Sequence, residues 1–348
     1  MKVLGTTARI ATAVHAPRLA PTPKAGPSRE VVPEIGEVTR VSNAVLDEVG
    51  KVIVGKRQVM ELVMVAVLTE GAHILFEDYP GLAKTLMAST FARSSGATFT
   101  RIQFTPDLLP TDILGSYIYD QKEGKFDFRQ GPIFTNVLLA DEINRASPKT
   151  QSALLEAMAE RQATVEGVTH ALTPPFLVMA TQNPIEQEGT YPLPEAQLDR
   201  FAMRVSVGYP DRREEAEVLN RRIRRGHDSV EVRKITDPKM LLGMQRIVER
   251  VHVHPRLVDY VSELVVRTRE NPAIQVGSSP RGSLALMKLS RANAALQGRD
   301  FVTPDDIRRL FLPTLNHRIQ LRPEYKIKGV RPQEVLETLM REVPVPQI

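Results

Sequence analysis

Residues 76–85 read FEDYPGLAKT. HILF at 73–76 leads into this stretch and TLMASTFARSSG at 85–96 leads out of it. The first is a short continuous apolar run, the mark of a buried strand, and the second reads as a helix stopped by Ser-Ser-Gly. Lys84-Thr85 therefore sits between strand and helix. That is where a phosphate-binding loop, G-x-x-x-x-G-K-[ST], places its lysine and hydroxyl. The two flanking glycines of that pattern are replaced by Asp78 and Ala83, and Gly81 alone remains. Glycine serves such a loop by allowing positive φ and close backbone approach. Ala83 adds a methyl at a crowded position, although Ala accepts helical dihedrals. Asp78 adds a negative charge, unfavourable if it faces phosphates and harmless if it turns away at the strand end. On this stretch alone a working site, a weakened one and a plain strand–turn–helix all stay open.

If the loop works, backbone N–H groups and the helix N-terminus hold the phosphates, Lys84 pairs with the β and γ phosphates, and the Thr85 hydroxyl binds Mg²⁺. The candidate nucleotide contacts run through Asp78, Tyr79, Pro80, Gly81, Leu82, Ala83, Lys84, Thr85 and Leu86. Val54 and Gly55, at a break between two helices, are added to them. About 57 residues past the lysine, NVLLAD at 136–141 forms another buried strand and ends in Asp141-Glu142. Acids at the C-terminal end of a parallel strand stand where such sheets place ligand groups. Asp141 suits Mg²⁺ through water, and Glu142 suits polarising an attacking water; the structural alternative is a strand cap. Asn183 ends a third apolar strand in MATQNP and can orient that water, or simply form an Asn-Pro turn. Arg200, in EAQLDRF, precedes a further strand and can reach a γ-phosphate across a subunit boundary, or form a surface ion pair. Arg281, in SSPRGS, opens a later helix and can close over the nucleotide from a lid. His252 and His254 sit two apart, the wrong spacing for one helix face, and read as structural.

Outward from the loop, the pattern is strand alternating with helix. Two helices precede it within 37–71, with Val41, Val45, Val49 and Val52 at helical spacing. Strands fall at 73–76, 98–104, 136–141, 176–181 and 203–209. Hairpins turn at Glu123-Gly124 and Glu166-Gly167, and Ser147-Pro148 opens a helix. Continuous apolar strands alternating with helices imply a five-stranded parallel α/β sheet covered on both faces. After Pro210 only helices are expected, at 211–225, 238–251, 256–270, 281–297, 304–312 and 332–341, with a linker at 226–237. The expected organisation is a basic Pro- and Ala-rich tail over 1–36 without fixed structure, a core over 37–210, and a linker with an all-helical subdomain over 211–348.

The chain has 348 residues and a net charge of +5, with 42% apolar and 25% charged residues. Lys2, Arg9, Arg18, Lys24 and Arg29 supply the whole excess, because residues 1–29 contain no acid and the remainder is balanced. A neutral body, no Trp and 5% aromatic residues disfavour a base-stacking nucleic-acid platform. The absence of Cys excludes disulfides, zinc–thiolate sites and a thiol nucleophile, and fits a reducing cytoplasm. No apolar run reaches the ~18 residues of a membrane span.

Together these residues resemble a MoxR-type AAA+ ATPase from about Val41 to at least Leu312. DYPGLAKT stands at the Walker A position, LLADEINR at Walker B, ATQNP at sensor 1, EAQLDRF at the arginine finger and SPRGS at sensor 2. TPDLLPTDILGSY, RQGPIF and QSALLEAMAERQATVEG are also similar to that family, and the first hairpin resembles its helix-2 insert. The resemblance implies an αβα core with a helical lid, ATP and Mg²⁺ as cofactors, and a ring, usually a hexamer. It also implies remodelling or maturation of protein clients, often metal or cofactor insertion with a von Willebrand A-domain partner. Two other readings remain: a nucleotide-binding switch with little hydrolysis, and a helicase-like nucleic-acid motor.

Overall fold

The computed structural model describes residues 34–183 and 190–347. The tail expected over 1–36 lies outside these apart from its last three residues, and helix α1 already begins at Ile35. The chain runs α1 (Ile35–Gly50), α2 (Arg57–Leu68), β1 (Ile74–Glu77), α3 (Lys84–Ser94), β2 (Phe99–Gln103), α4 (Pro110–Leu114), β3 (Gly115–Asp120), β4 (Lys125–Gln130) and β5 (Val137–Asp141). A 3-10 turn at Ile143–Arg145 leads to α5 (Pro148–Glu160), β6 (Gln162–Val165), β7 (Val168–Ala171), β8 (Leu177–Gln182), α6 (Glu195–Leu198) and β9 (Met203–Val205).

The main sheet has the order β2-β5-β8-β1-β9, and every neighbouring pair is parallel. Its strands bury both faces, so alternate residues enter different cores. Ile74, Phe76, Val137, Leu139, Leu177 and Met179 join one cluster; Leu75, Leu138, Ala140, Val178 and Ala180 join the other. That two-sided burial produces the continuous apolar runs seen in the sequence. Each of the buried Val, Leu, Ile, Phe and Met side chains stabilises the fold by about 1.5–3 kcal/mol.

The remaining elements are α7 (Arg212–Arg225), α8 (Pro238–Val248), α9 (Pro255–Glu270), β10 (Ile274–Val276), α10 (Pro280–Leu296), α11 (Pro304–Leu315), β11 (Gln320–Leu321), α12 (Pro323–Ile327) and α13 (Pro332–Glu342). The six expected helices are all present. The all-helical expectation needs one correction, because β10 and β11 pair antiparallel. Strands of three and two residues are too short to show alternation. The first core cluster passes without a break from α1, α2 and α3 into α8, α9, α10, α11 and α13.

His252 and His254 lie outside any helix. His252 forms a bridge with Phe301, and the His254 ring caps α9 by accepting from Arg256 N at 3.2 Å. The hairpins β3–β4 and β6–β7 meet through an aromatic contact, Phe128 stacked on His170 at 3.8 Å, with the Tyr117 hydroxyl 3.3 Å from His170 Nε2.

Candidate active site

Parallel strands put all their C-terminal ends on one edge. β1 therefore delivers the loop, β5 delivers Asp141 and Glu142, and β8 delivers Asn183 to one cleft of about 420 Å³. Asp78 and residues 80–86 line it together with Arg101, Gln103, Asp141, Glu142, Thr181, Gln182 and Asn183. Tyr79 turns aside to stack on Tyr209, 5.6 Å between ring centres.

The replaced glycines have different outcomes. Asp78 is buried, and its carboxylate turns away from the cleft's mouth toward the end of β9. There it accepts from Ser206 Oγ at 2.7 Å, Gly208 N at 3.3 Å and Val207 N. Its charge thus ties two strand ends together. Ala83 has φ +56° and ψ +20°, a left-handed conformation. The expectation that Ala would keep ordinary helical dihedrals there is corrected, and the position costs an L-residue roughly 1–2 kcal/mol. Gly81, at φ +83°, has open space where a Cβ would stand. No side chain caps the N-terminus of α3, so its first-turn N–H groups face the cleft. Lys84 is buried and donates to the carbonyls of Asp78 at 2.9 Å and Tyr79 at 3.1 Å. Burial lowers its pKa, against the pull of Asp78, Asp141 and Glu142.

The two acids at the end of β5 are held by residues that the sequence did not single out. Arg101 donates to Asp141 Oδ2 from Nε at 3.0 Å and from Nη2 at 2.6 Å. Thr181 Oγ1 donates to Asp141 Oδ1 at 2.6 Å and accepts from Glu142 N at 2.8 Å. Gln103 Nε2 donates to Glu142 Oε2 at 2.6 Å, and Arg145 pairs with the same oxygen at 3.0 Å. Glu142 itself is left-handed, φ +56°, a conformation that non-glycine residues hold chiefly where the surroundings enforce it. The one signal available was alternation: Arg101 and Gln103 lie two apart on β2 and so share one face, and β2 pairs with β5.

Val54 and Gly55 do not line this cleft. Gly55, at φ +65°, packs against the Glu214 carboxylate, and neighbouring Lys56 donates to Tyr209 O at 2.8 Å. Lys56 thus ties this break between α1 and α2 to Tyr209, the ring on which Tyr79 of the loop stacks.

Arg200 and Arg281 are also elsewhere. They line a second cleft of about 200 Å³ with residues 69–72, Asp199, Lys288 and Arg318. Residues 69–72 precede β1 and Ala202 precedes β9, so this cleft lies at the N-terminal edge of the sheet, opposite the loop. Arg200 Nη1 donates to Leu155 O. Arg281 is 66% exposed, with Nη1 4.0 Å from Asp199 Oδ2. Arg281 therefore stands at the edge of the sheet opposite the loop of its own chain. The start of α10 is held at Asp199, and the sequence could not say at which edge.

A strand–loop–helix with Lys and Thr at its turn, acids at the end of β5 and an amide just past β8 define a P-loop ATPase core. Comparison agrees. The pattern of the ATPase family associated with various cellular activities (AAA) matches residues 73–203, and that of the AAA lid domain matches 266–339. The chain is 48% identical over 301 residues to the uncharacterised protein YeaC of Bacillus subtilis, covering 86% of this chain and 93% of that one. It is 44% identical over 321 residues to chaperone MoxR1 of Mycobacterium tuberculosis, covering 90% and 84%. A crystal structure from Cytophaga hutchinsonii, assigned as an ATPase, superposes with a TM-score of 0.84 at 42% identity, covering 90% of this chain and 97% of that one. The chain belongs to the MoxR family of AAA+ ATPases.

Proposed function

We propose that the chain hydrolyses ATP with Mg²⁺ at a site completed by a second copy of itself, in a ring, and that turnover drives chaperone-like remodelling of protein clients. The observation that carries this reading is the separation of the two clefts. Loop and acids stand at the C-terminal edge of the sheet and the two arginines at the N-terminal edge, with β1 between them. Four residues of strand span about 13 Å at ~3.3 Å each, more than a side chain bridges. An arginine that serves a nucleotide from that edge serves a neighbour's.

The donor set suits the substrate and its ion. Lys84 and the open N-terminus of α3 suit phosphates. The Thr85 hydroxyl and Asp141 line the same cleft, and one or two such oxygens completed by phosphates and water is the usual Mg²⁺ arrangement. Bound there, Mg²⁺ would neutralise charge on the β and γ phosphates. The chain's own groups do the rest. Lys84 exchanges the carbonyls of residues 78 and 79 for phosphate oxygens. Glu142 accepts a proton from the attacking water as its oxygen bonds to the γ-phosphorus and the bond to the bridging oxygen breaks. Asn183 orients that water, and Arg200 and Arg281 of the neighbouring copy meet the developing charge. The chaperone role rests on kinship with a protein named as a chaperone; metal or cofactor insertion with a von Willebrand A-domain partner, and a reducing cytoplasmic setting, belong to the same proposal.

The Arg101–Asp141 and Gln103–Glu142 bonds favour a second reading, a nucleotide switch whose acids stay engaged. Glu142→Gln separates the two. Motor action predicts that it binds ATP but turns it over roughly 10²–10⁴-fold more slowly. A natural chain that binds ATP without turnover, unchanged by the substitution, supports the switch.

A further inference from the structure

Arg318 is the most completely bonded charged side chain of the second cleft. It follows α11, and its side chain is only 2% exposed. All five of its N–H donors are used. Nε donates to Asp199 Oδ1 at 2.8 Å, and Nη1 to the carbonyls of Ala202 at 3.1 Å and Thr314. Nη2 donates to the carbonyls of Asp199 at 3.3 Å and Phe201 at 2.7 Å. The guanidinium thus grips the backbone on both sides of Arg200, whose own side chain, among the described residues, is bonded only through Nη1 to Leu155 O. Next to it, His317 Nε2 donates to Phe201 O at 2.9 Å, and Arg204 reaches back to Asn316 O at 3.1 Å. Phe201, fully buried, anchors the same segment.

Asp199 carries the link onward. Its Oδ2 accepts from Ser279 Oγ at 3.0 Å and stands 4.0 Å from Arg281. Ser279 caps α10, and Arg281 lies in that helix's first turn. Gly282 lets α10 come this close, since a Cβ there would stand 2.1 Å from Ser278 Oγ and 3.3 Å from Arg318 Cδ. A buried ion pair of this kind contributes little net stability, because desolvation offsets attraction, but it fixes geometry. Burial lowers the pKa of Arg318, and the Asp199 carboxylate opposes that shift.

We propose that Asp199 and Arg318 are positioning residues that lock Arg200 and Arg281 into one rigid pair, so that a neighbouring copy's nucleotide meets both arginines or neither. This rests on the reading that the two arginines act between copies. It adds that the lid, through Ser279 and Arg281, and the core, through Arg200, reach that nucleotide as one body. A displacement of about 1 Å at such a pair costs roughly 10²-fold in rate. Asp199→Asn, which keeps the shape and loses the charge, is therefore expected to lower turnover by about that factor while KM for ATP changes less than about threefold.

The test is mixing of full-length variants. Lys84→Ala removes the loop's grip but keeps the arginines; Arg200→Ala does the reverse. Their mixture should recover turnover that neither shows alone, and if it does not, the between-copy reading itself fails. Given that recovery, Asp199→Asn mixed with Lys84→Ala should also recover, because intact loops meet well-placed arginines. Asp199→Asn mixed with Arg200→Ala should not, because neither supplies a well-placed pair. Recovery in that last mixture, no recovery with Lys84→Ala, or natural turnover from Asp199→Asn alone would each overturn the proposal. Should Asp199→Asn fail to fold, Ser279→Ala removes the bond between α10 and Asp199 together with the helix cap on Arg281 N, leaves the Asp199–Arg318 pair in place, and carries the same mixing pattern at a smaller loss.

Discussion

The two clefts are built on the same device and differ in what surrounds it. Each depends on an aspartate that ties segments together. Asp78 binds the end of β1 to the end of β9 through Ser206, Val207 and Gly208. Asp199 binds the start of β9 to α10 and to Arg318. At the loop edge the reactive side chains are held by partners they must leave: Lys84 by its own loop's carbonyls, Asp141 by Arg101, Glu142 by Gln103. At the other edge Arg318 has no donor left to spend, and Arg281 is largely exposed. One edge is made to rearrange around a ligand; at the other the segment that carries Arg200 is fixed, and only that arginine's own bond to Leu155 O must open.

Substitutions that break this contrast have graded effects. Arg200→Ala is expected to lower turnover by about 10³-fold or more while equilibrium ATP binding stays within a few-fold, since the arginine stabilises transition-state charge. Parallel losses of both would place it in the binding cleft instead. Phe201→Ala, which removes the anchor of the same segment, is expected to cost about 3–5 kcal/mol of stability, read by chemical denaturation.

A smaller effect separates the edges by pH. His73 and His317 both back the arginine edge: the carbonyl of His73 takes Ala202 N–H at 2.8 Å, and His317 holds Phe201 O. Burial pushes His73 down to about 4 and His317 well below the usual imidazole range. A depressed histidine is neutral when folded and gains a proton more readily when unfolded. Its contribution is therefore whole above pH ~6.5 and is lost as pH falls toward about 4, worth about 3 kcal/mol for His73. The melting temperature should fall across that window, and His73→Gln should flatten the fall; a flat profile in the natural protein contradicts the placement.

At the loop edge, Arg101→Ala frees Asp141 and is expected to raise Mg²⁺ affinity a few-fold, read by titrating Mg²⁺ against a bound fluorescent nucleotide. Unchanged affinity would mean that Arg101 gives way at no cost. The smallest effect belongs to Ala83→Gly. Relief of the left-handed strain should raise stability by at most about 1 kcal/mol, because glycine also gains freedom in the unfolded chain.

What could be read beforehand follows the range of the interactions. HILF, NVLLAD and FLVMAT declared themselves as strands because burial on both faces leaves a local mark, and the acids ending NVLLAD fell in the cleft because parallel strands share an edge. Ala83 was read in the wrong dihedral region, since a sequence shows a residue type and not its φ. Arg101 and Thr181 went unnoticed because their partner, Asp141, is 40 residues away in each case. Arg318 left no local signal either: four of its five acceptors lie at residues 199–202, at least 116 positions earlier. Arg281 was recognised by its motif but not placed at an edge, because order along the chain does not say which end of a sheet a returning helix reaches.

ATP turnover per chain, measured against protein concentration with Mg²⁺ present, tests the shared site most directly. The rate per chain should climb with concentration and level off as copies meet, and Arg200→Ala should abolish that climb. A rate per chain that is constant down to the lowest concentration at which the protein is monomeric would contradict a site completed between copies.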